Sequence, residues 1–180
     1  MHSTDHIART KRWLEDWVIQ LNLCPFASHP YKNAKVKFRL CKERTAEGLG
    51  GDFLQEIAFL ESSEGQQIDT SIIILSNLAD SFEEYLDLYY WLEEIVELKG
   101  WEDRFQLASF HPNYQFDGTQ VDDPENYTNR SPFPLIHILR SEQVEKAILH
   151  HPDTEDIPNQ NIKTMNDLGL ENIKIKWNEF

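Results

Sequence analysis

The sequence predicts an α+β (or α/β) domain with a single mixed sheet of about four or five strands and helices packed on it. Three observations carry this prediction: strong helical periodicity in several segments, one wholly apolar strand segment, and a late pair of strands. At 180 residues the chain suits one core better than two. We therefore expect residues 1–180 to form a single domain, with 1–4 and 171–180 as terminal extensions.

The first half of the chain alternates predicted helices and strands. Apolar residues at helical spacing predict a helix over residues 5–21, and period-two alternation predicts a one-faced, peripheral strand over Val36–Leu40. A second helix is expected to begin near Gly51, after a glycine-rich stretch. The segment Thr70–Leu75 ends in four consecutive apolar residues. This pattern predicts a strand that is covered on both faces and lies at the centre of the sheet.

The second half begins with the clearest element, a third helix. Ser81 followed by Glu84 matches the capping box that starts helices, and Gly100 is expected to end this one. Strands are predicted over Phe105–Phe110 and Leu135–Arg140. The long connection between them contains several aromatic residues, so we expect it to be an ordered loop.

Three weaker patterns describe the C-terminal part. Ser141 is expected to cap a short helix, residues 158–169 to form a last helix, and residues 173–177 to add an edge strand. The chain has no phosphate-binding loop, dinucleotide fingerprint, paired-cysteine zinc motif or nucleophile elbow. The cofactor, if the protein uses one, is therefore unknown from the sequence.

Charge and cysteine content restrict partners and compartment. Seventeen lysines and arginines against 31 aspartates and glutamates give a net charge of −14. The average surface therefore repels nucleic acids and anionic membranes, whereas a local pocket can still bind a small-molecule ligand. No signal peptide or membrane helix is expected, so Cys24 and Cys41 are interpreted as free thiols in the cytoplasm. The oligomeric state is not predicted.

Cys24 is a candidate catalytic residue. It either begins a fresh turn with Pro25 at the first position, where the helix dipole favours a thiolate, or caps the end of the first helix, where the dipole raises the thiol pKa. A buried cysteine that acts as a small apolar side chain is the competing interpretation.

The segment from Phe110 to Arg140 supplies most of the other candidates. His111 lies at the end of a predicted strand and is the best candidate for a general acid or base, although a histidine bonded to a loop carbonyl has the same pattern. Asn113 and Tyr114, which follow closely, are candidate substrate-binding residues.

Three further residues of this segment are candidate substrate ligands. Arg130 lies in the loop, where its guanidinium either clamps a carboxylate or phosphate or ties down a nearby aspartate. Strand alternation places His137 and Arg140 on opposite faces. Because leucines flank it on its own face, His137 is interpreted first as a core histidine and second as a ligand.

Metal binding is a weaker alternative. Cys24, His111, His137, His150 and His151 carry suitable donor atoms, but none has close ligand spacing. The adjacent His150 and His151 are interpreted as a charge feature at a helix end. No metal ligands are predicted.

Three stretches together resemble an uncharacterised bacterial family, known only as a domain of unknown function. They are LCPFA at 23–27, FHPNYQF at 110–116 and NRSPFPLIHILR at 129–140. The resemblance covers roughly residues 5–169, and the tail after Leu170 lies beyond it. It implies no reaction, cofactor or partner.

Three functions follow from these candidates. The first is a small-molecule enzyme acting on an anionic substrate, with His111 as acid or base, Arg130 holding the anion and Cys24 as nucleophile or pocket wall. The second is a non-catalytic binding or protein-interaction domain, and the third is a metal or haem protein. The first predicts that Cys24, His111 and Arg130 converge in one pocket.

Overall fold

A computed structural model describes residues 3–62, 64–149 and 154–180. The strands are β1 (Val36–Cys41), β2 (Thr70–Leu75), β3 (Phe105–Phe110) and β4 (Leu135–Arg140). The α-helices are α1 (Ser3–Trp13), α2 (Ser28–Lys32), α3 (Ala46–Glu61), α4 (Phe82–Leu98), α5 (Ser141–Leu149), α6 (Ile157–Leu168) and α7 (Leu170–Trp177). A π-helical turn, Leu14–Ile19, extends α1.

The four strands form one mixed sheet in the order β1-β2-β4-β3. β1 and β2 are parallel and are joined through α3, whereas β4 is antiparallel to both β2 and β3. The predicted α+β class is thereby confirmed. β1 is an edge strand and β2 is an interior strand buried along its whole length, as the apolar patterns predict.

Hydrophobic cores cover both faces of the sheet. Ile73 and Ile136 pack on one face with α3 and α4. Ile72 and Leu135, one residue away on the same strands, pack on the other face with α1, α6 and α7. Successive side chains of a strand point to opposite faces, so each interior strand needs apolar residues at consecutive positions.

The start predicted for α3, near Gly51, is wrong. The helix begins at Ala46, and the Thr45 hydroxyl caps it by accepting a hydrogen bond from the Gly48 N–H at 3.1 Å. Gly50 lies inside the helix, where a Cβ atom would come within 2.6 Å of the Trp91 ring. A glycine required for close helix packing therefore resembles, in sequence, a glycine that precedes a helix.

The ends of α4 agree with the prediction. The Ser81 hydroxyl accepts a hydrogen bond from the Glu84 N–H at 3.1 Å. Gly100, just beyond the helix, has a φ of 63°, a left-handed conformation that glycine adopts without steric cost.

The edge strand predicted over residues 173–177 is wrong, because this segment forms α7. Ile173 and Trp177 lie four residues apart, so they share a helix face as readily as they share a strand face. Ile173 is fully buried, and the Trp177 ring lies 5.4 Å from that of Trp17. Burial of these side chains against α1 favours the helix.

The connection between β3 and β4 is an ordered loop, as predicted. Its buried residue Asn126 accepts hydrogen bonds from the Phe116 N–H and the Thr119 hydroxyl, both at 2.9 Å, and donates one to the Gln120 carbonyl at 2.7 Å. A single side chain therefore satisfies the backbone N–H of Phe116 and the backbone carbonyl of Gln120. None of the helices in the described parts of the chain is long and apolar enough to cross a membrane.

Candidate functional site

A cavity of about 650 Å³ opens on the face of the sheet that carries α1. Ile72, His137 and Leu139 of the central strands form its floor. Its walls come from Trp13 and Leu14, from the segment 24–30 and from Val144 and Ala147 of α5. The volume lies within the range of small-molecule binding sites, and most of the lining is apolar.

Short side chains leave this space open. Ala108 of β3 pairs directly with His137 of β4, and Ile72 of β2 pairs with it on the other side. Ala108 and Ala147 both line the cavity, and neither extends beyond its Cβ atom. Larger residues at these positions would fill the volume above His137.

His137 is held by its neighbour in the sheet, Thr70. The histidine Nε2 lies 2.5 Å from the Thr70 hydroxyl oxygen, which in turn lies 2.7 Å from the carbonyl oxygen of Ile138. A hydroxyl has one hydrogen, and here it is donated to the carbonyl. The network therefore assigns the ring proton to Nε2, which donates to Thr70, and leaves the Nδ1 lone pair unused.

His137 is consequently a neutral acceptor at the cavity floor. Nδ1 has no hydrogen-bond partner within residues 3–62, 64–149 and 154–180. The atom is also not sealed from solvent by these residues. Burial lowers the pKa of His137 to about 4, because an apolar environment penalises the charged ring. The interpretation of His137 as a core histidine agrees with its burial. It does not include the accessible acceptor atom, Nδ1.

Cys24 lines the same cavity. Its carbonyl accepts a hydrogen bond from the Ala27 N–H at 3.1 Å, so Cys24 begins a fresh turn with Pro25 directly after it. This is the first of the two predicted geometries. The backbone N–H groups of Phe26 and Ala27 favour the thiolate, but burial outweighs them and raises the thiol pKa. Cys24 and Cys41 are both free thiols.

Trp13 lines the cavity, but its indole nitrogen is sealed from solvent. The side chain is 1% exposed, and its indole N–H has no acceptor among the described residues. A buried donor without an acceptor costs about 1–3 kcal/mol, and native proteins contain few of them.

His111 does not line the cavity. It is buried beside α4, where its ring centroid lies 5.4 Å from that of Phe82 and 5.1 Å from that of Tyr85. Nε2 donates to the Ala79 carbonyl at 3.1 Å, and Nδ1 accepts from the Asn113 N–H at 3.1 Å. Both ring nitrogens are occupied, and burial lowers the pKa of His111.

Arg130 is bonded to its own loop. Its Nε and one terminal nitrogen donate to the carbonyls of Tyr114 and Val121 at 3.2 and 2.7 Å, and its guanidinium lies 4.2 Å from the Tyr127 ring centre. The Tyr114 ring packs on Phe82 at 4.9 Å. Asn113 is exposed and contributes its backbone N–H to His111.

Arg140 borders the cavity, but its guanidinium is used in the fold. Nε donates to the Ile68 carbonyl at 2.8 Å, and one terminal nitrogen donates to the carbonyls of Gly65 and Leu60. These bonds connect the end of β4 to the chain that follows α3.

The predicted convergence of Cys24, His111 and Arg130 is therefore wrong. Cys24 shares a cavity with His137 on the α1 face, whereas His111 packs against α4 and Arg130 closes the loop. The physical reason is that the backbone of a long irregular loop needs hydrogen-bond partners, and His111 and Arg130 supply them. Whether any of these residues takes part in function stays a prediction.

Sequence reasoning also missed a buried ionic cluster on the opposite face of the sheet. Glu56 of α3 is fully buried, and its carboxylate accepts hydrogen bonds from Lys37 at 2.8 Å and from the Ser71 hydroxyl at 2.6 Å. Arg39 binds the same carboxylate at 3.5 Å. A glutamate in an amphipathic helix gives no sequence signal of such burial.

Metal binding receives no support from the described residues, which hold no group of three or more histidine, cysteine, aspartate or glutamate side chains suited to a metal ion. His150 and His151 lie outside the described residues, so the interpretation of this pair as a charge feature stays a prediction.

Comparison with known proteins identifies a family but no activity. No curated protein and no solved structure matches the chain. The family described as "Protein of unknown function (DUF1415)" matches residues 5–175, which include most of α7 as well as the three sequence stretches noted above. The chain therefore belongs to this family of proteins of unknown function.

Proposed function

We propose that the protein binds a small, mainly apolar molecule in the cavity between the sheet and α1. The observation that carries the proposal is an apolar space of about 650 Å³ with an unused acceptor, Nδ1 of His137, at its floor. Small-molecule sites typically combine an apolar lining with a few oriented polar groups.

This proposal revises the predicted enzyme for anionic substrates. Arg130 and Arg140 donate to backbone carbonyls, so the guanidinium groups expected to hold an anion are used by the fold. Two further basic side chains line the cavity, Lys146 and His29, and both are exposed to solvent.

Binding can be measured with N-phenyl-1-naphthylamine, a neutral apolar dye whose fluorescence rises in an apolar environment. We expect saturable binding of one dye per chain. Ala147→Phe places a ring in the cavity and should weaken binding at least tenfold. Ala58→Phe makes the same change at an exposed position of α3 and should leave binding unchanged. Absence of dye binding, or equal weakening by both substitutions, would reject the proposal.

A catalytic function is the second candidate, and it is favoured by the shared location of Cys24 and His137. In this alternative, His137 accepts the Cys24 proton only as the sulfur attacks an electrophilic ligand, because the low pKa of His137 and the raised pKa of the thiol disfavour a preformed thiolate. Alkylation of Cys24 by iodoacetamide at pH 7 should then slow when His137 is replaced by Gln, measured in a Cys41→Ser background. An unchanged rate would leave ligand binding as the function of the cavity.

We also propose a cytoplasmic location. Its support is the pair of free thiols, Cys24 and Cys41, which a reducing compartment preserves. Fractionation of cells that express the full chain tests this location directly.

A further inference from the structure

We infer that the ligand of the cavity is a neutral hydrogen-bond donor, such as a hydroxyl group on an apolar body. This inference rests on the proposed function and specifies the chemical class of the ligand. It derives from the tautomer that the sheet imposes on His137 and from the charges around the cavity.

Thr70 determines which nitrogen of His137 remains available. Because its hydroxyl donates to the Ile138 carbonyl at 2.7 Å, it can only accept from the histidine, at 2.5 Å. Nδ1 must then be the unprotonated nitrogen. It offers a lone pair to the cavity, and it can bind a ligand O–H or N–H but not a carbonyl or a carboxylate.

The surroundings of His137 keep the ring neutral. Its neighbours in the sheet, Ile72 and Ala108, are apolar, and the Phe110 ring centroid lies 6.2 Å from its own. The lowered pKa of His137 has the same cause, since a charged ring would lose its hydration in these apolar surroundings. Nδ1 therefore does not become a donor at neutral pH.

The charges near the cavity disfavour an anion. The guanidinium of Arg140 donates to carbonyls on the other side of the strand. Asp69, which borders the cavity, adds a carboxylate whose partner, Lys35, lies 3.4 Å away. The other cationic residues of the described lining, Lys146 and His29, are exposed, so a carboxylate buried in the cavity would lose its hydration without a buried cationic partner and bind poorly.

Displacement of N-phenyl-1-naphthylamine by three ligands of similar size tests this inference. These are 1-naphthol, which carries a neutral donor, naphthalene, which carries none, and 1-naphthoate, which is an anion. At pH 7.5 we expect 1-naphthol to bind about tenfold more tightly than naphthalene, as one hydrogen bond to a buried acceptor allows. We expect 1-naphthoate to bind at least tenfold more weakly than 1-naphthol.

The Thr70→Val substitution tests the assigned cause. It removes the hydroxyl that fixes the tautomer, so the preference for 1-naphthol over naphthalene should fall severalfold while naphthalene affinity is retained. Thr164→Val in α6 makes the same change outside the cavity lining and should keep the full preference. If Thr70→Val does not fold, long-range ¹H–¹⁵N correlations in the wild-type chain report the tautomer of His137 directly.

The possible results separate the two proposals. If the dye binds but 1-naphthol and naphthalene bind equally, or if His137 is protonated on Nδ1, the inference about the ligand class is overturned and the binding site stands. If neither the dye nor any of the three ligands binds, the proposed function fails and the inference fails with it.

Discussion

Two regions of this molecule contain histidine and polar residues, and they use them differently. In the loop between β3 and β4, His111 and Arg130 donate to backbone carbonyls, and both nitrogens of His111 are occupied. At the cavity, His137 has one nitrogen fixed by a neighbouring strand and the other unbonded within the described residues. A loop must satisfy its backbone with side chains, whereas strands satisfy their own and leave side-chain atoms available.

The largest effect should come from Arg130→Met. The substitution leaves the carbonyls of Tyr114 and Val121 without their charged donor in a buried setting, and we expect a loss of about 3 kcal/mol in the free energy of unfolding. Urea denaturation measures this loss. Dye binding should persist in the folded fraction, since Arg130 does not line the cavity. A stable variant that no longer binds the dye would contradict this assignment, because it would place ligand binding at the loop of Arg130.

The next effect is the dependence of stability on pH. The pKa of His137 is about 4 in the folded chain and near 6.5 when unfolded, so between these values the unfolded state binds more protons. Stability should therefore be complete above pH 6.5 and fall by up to about 3 kcal/mol as the pH decreases towards 4.

His111, whose pKa is also lowered, contributes in the same direction. Urea denaturation at several pH values should show a shallower slope for His137→Gln than for the wild type, with a residual slope from His111. An unchanged slope would contradict the neutral state assigned to His137.

A smaller loss is expected for His111→Leu. The substitution leaves the Ala79 carbonyl and the Asn113 N–H without their partner, and we expect a loss of about 2 kcal/mol. The affinity for 1-naphthol, measured by dye displacement, should stay within twofold of the wild type. A specific loss of affinity with little change in stability would instead indicate that His111 belongs to the binding site.

The smallest effect should come from Cys24→Ser. Cys24 is partly buried at the cavity wall, so we expect a change below about 1 kcal/mol in thermal denaturation. A larger loss would show that Cys24 is a structural residue rather than part of an open wall.

The sequence predicts much of the fold because the spacing of apolar residues indicates which side chains are buried. β2 and α4 follow from consecutive isoleucines and from a capped apolar stripe, and alternation places His137 on the correct face of β4. The sequence predicts a strand where α7 forms, because residues 173 and 177 fit both periods. Only the surface available for packing decides between the two.

The site could be predicted only in part, because the state of each polar atom depends on distant partners. His137 meets Thr70 through the register between β2 and β4, across 67 positions of sequence. The same holds for His111, whose ring bonds to Ala79 ahead of α4. Residue type and local spacing thus identify candidates, while long-range pairing decides which of them keep an unused atom.

The most direct test of this account is a titration of ¹⁵N-labelled protein with 1-naphthol, followed by ¹H–¹⁵N correlation spectra. We predict the largest shifts at the backbone amides of Cys24, Ala108 and His137. The largest shifts at the amides of His111, Tyr114 and Arg130, with the cavity amides unmoved, would contradict the account.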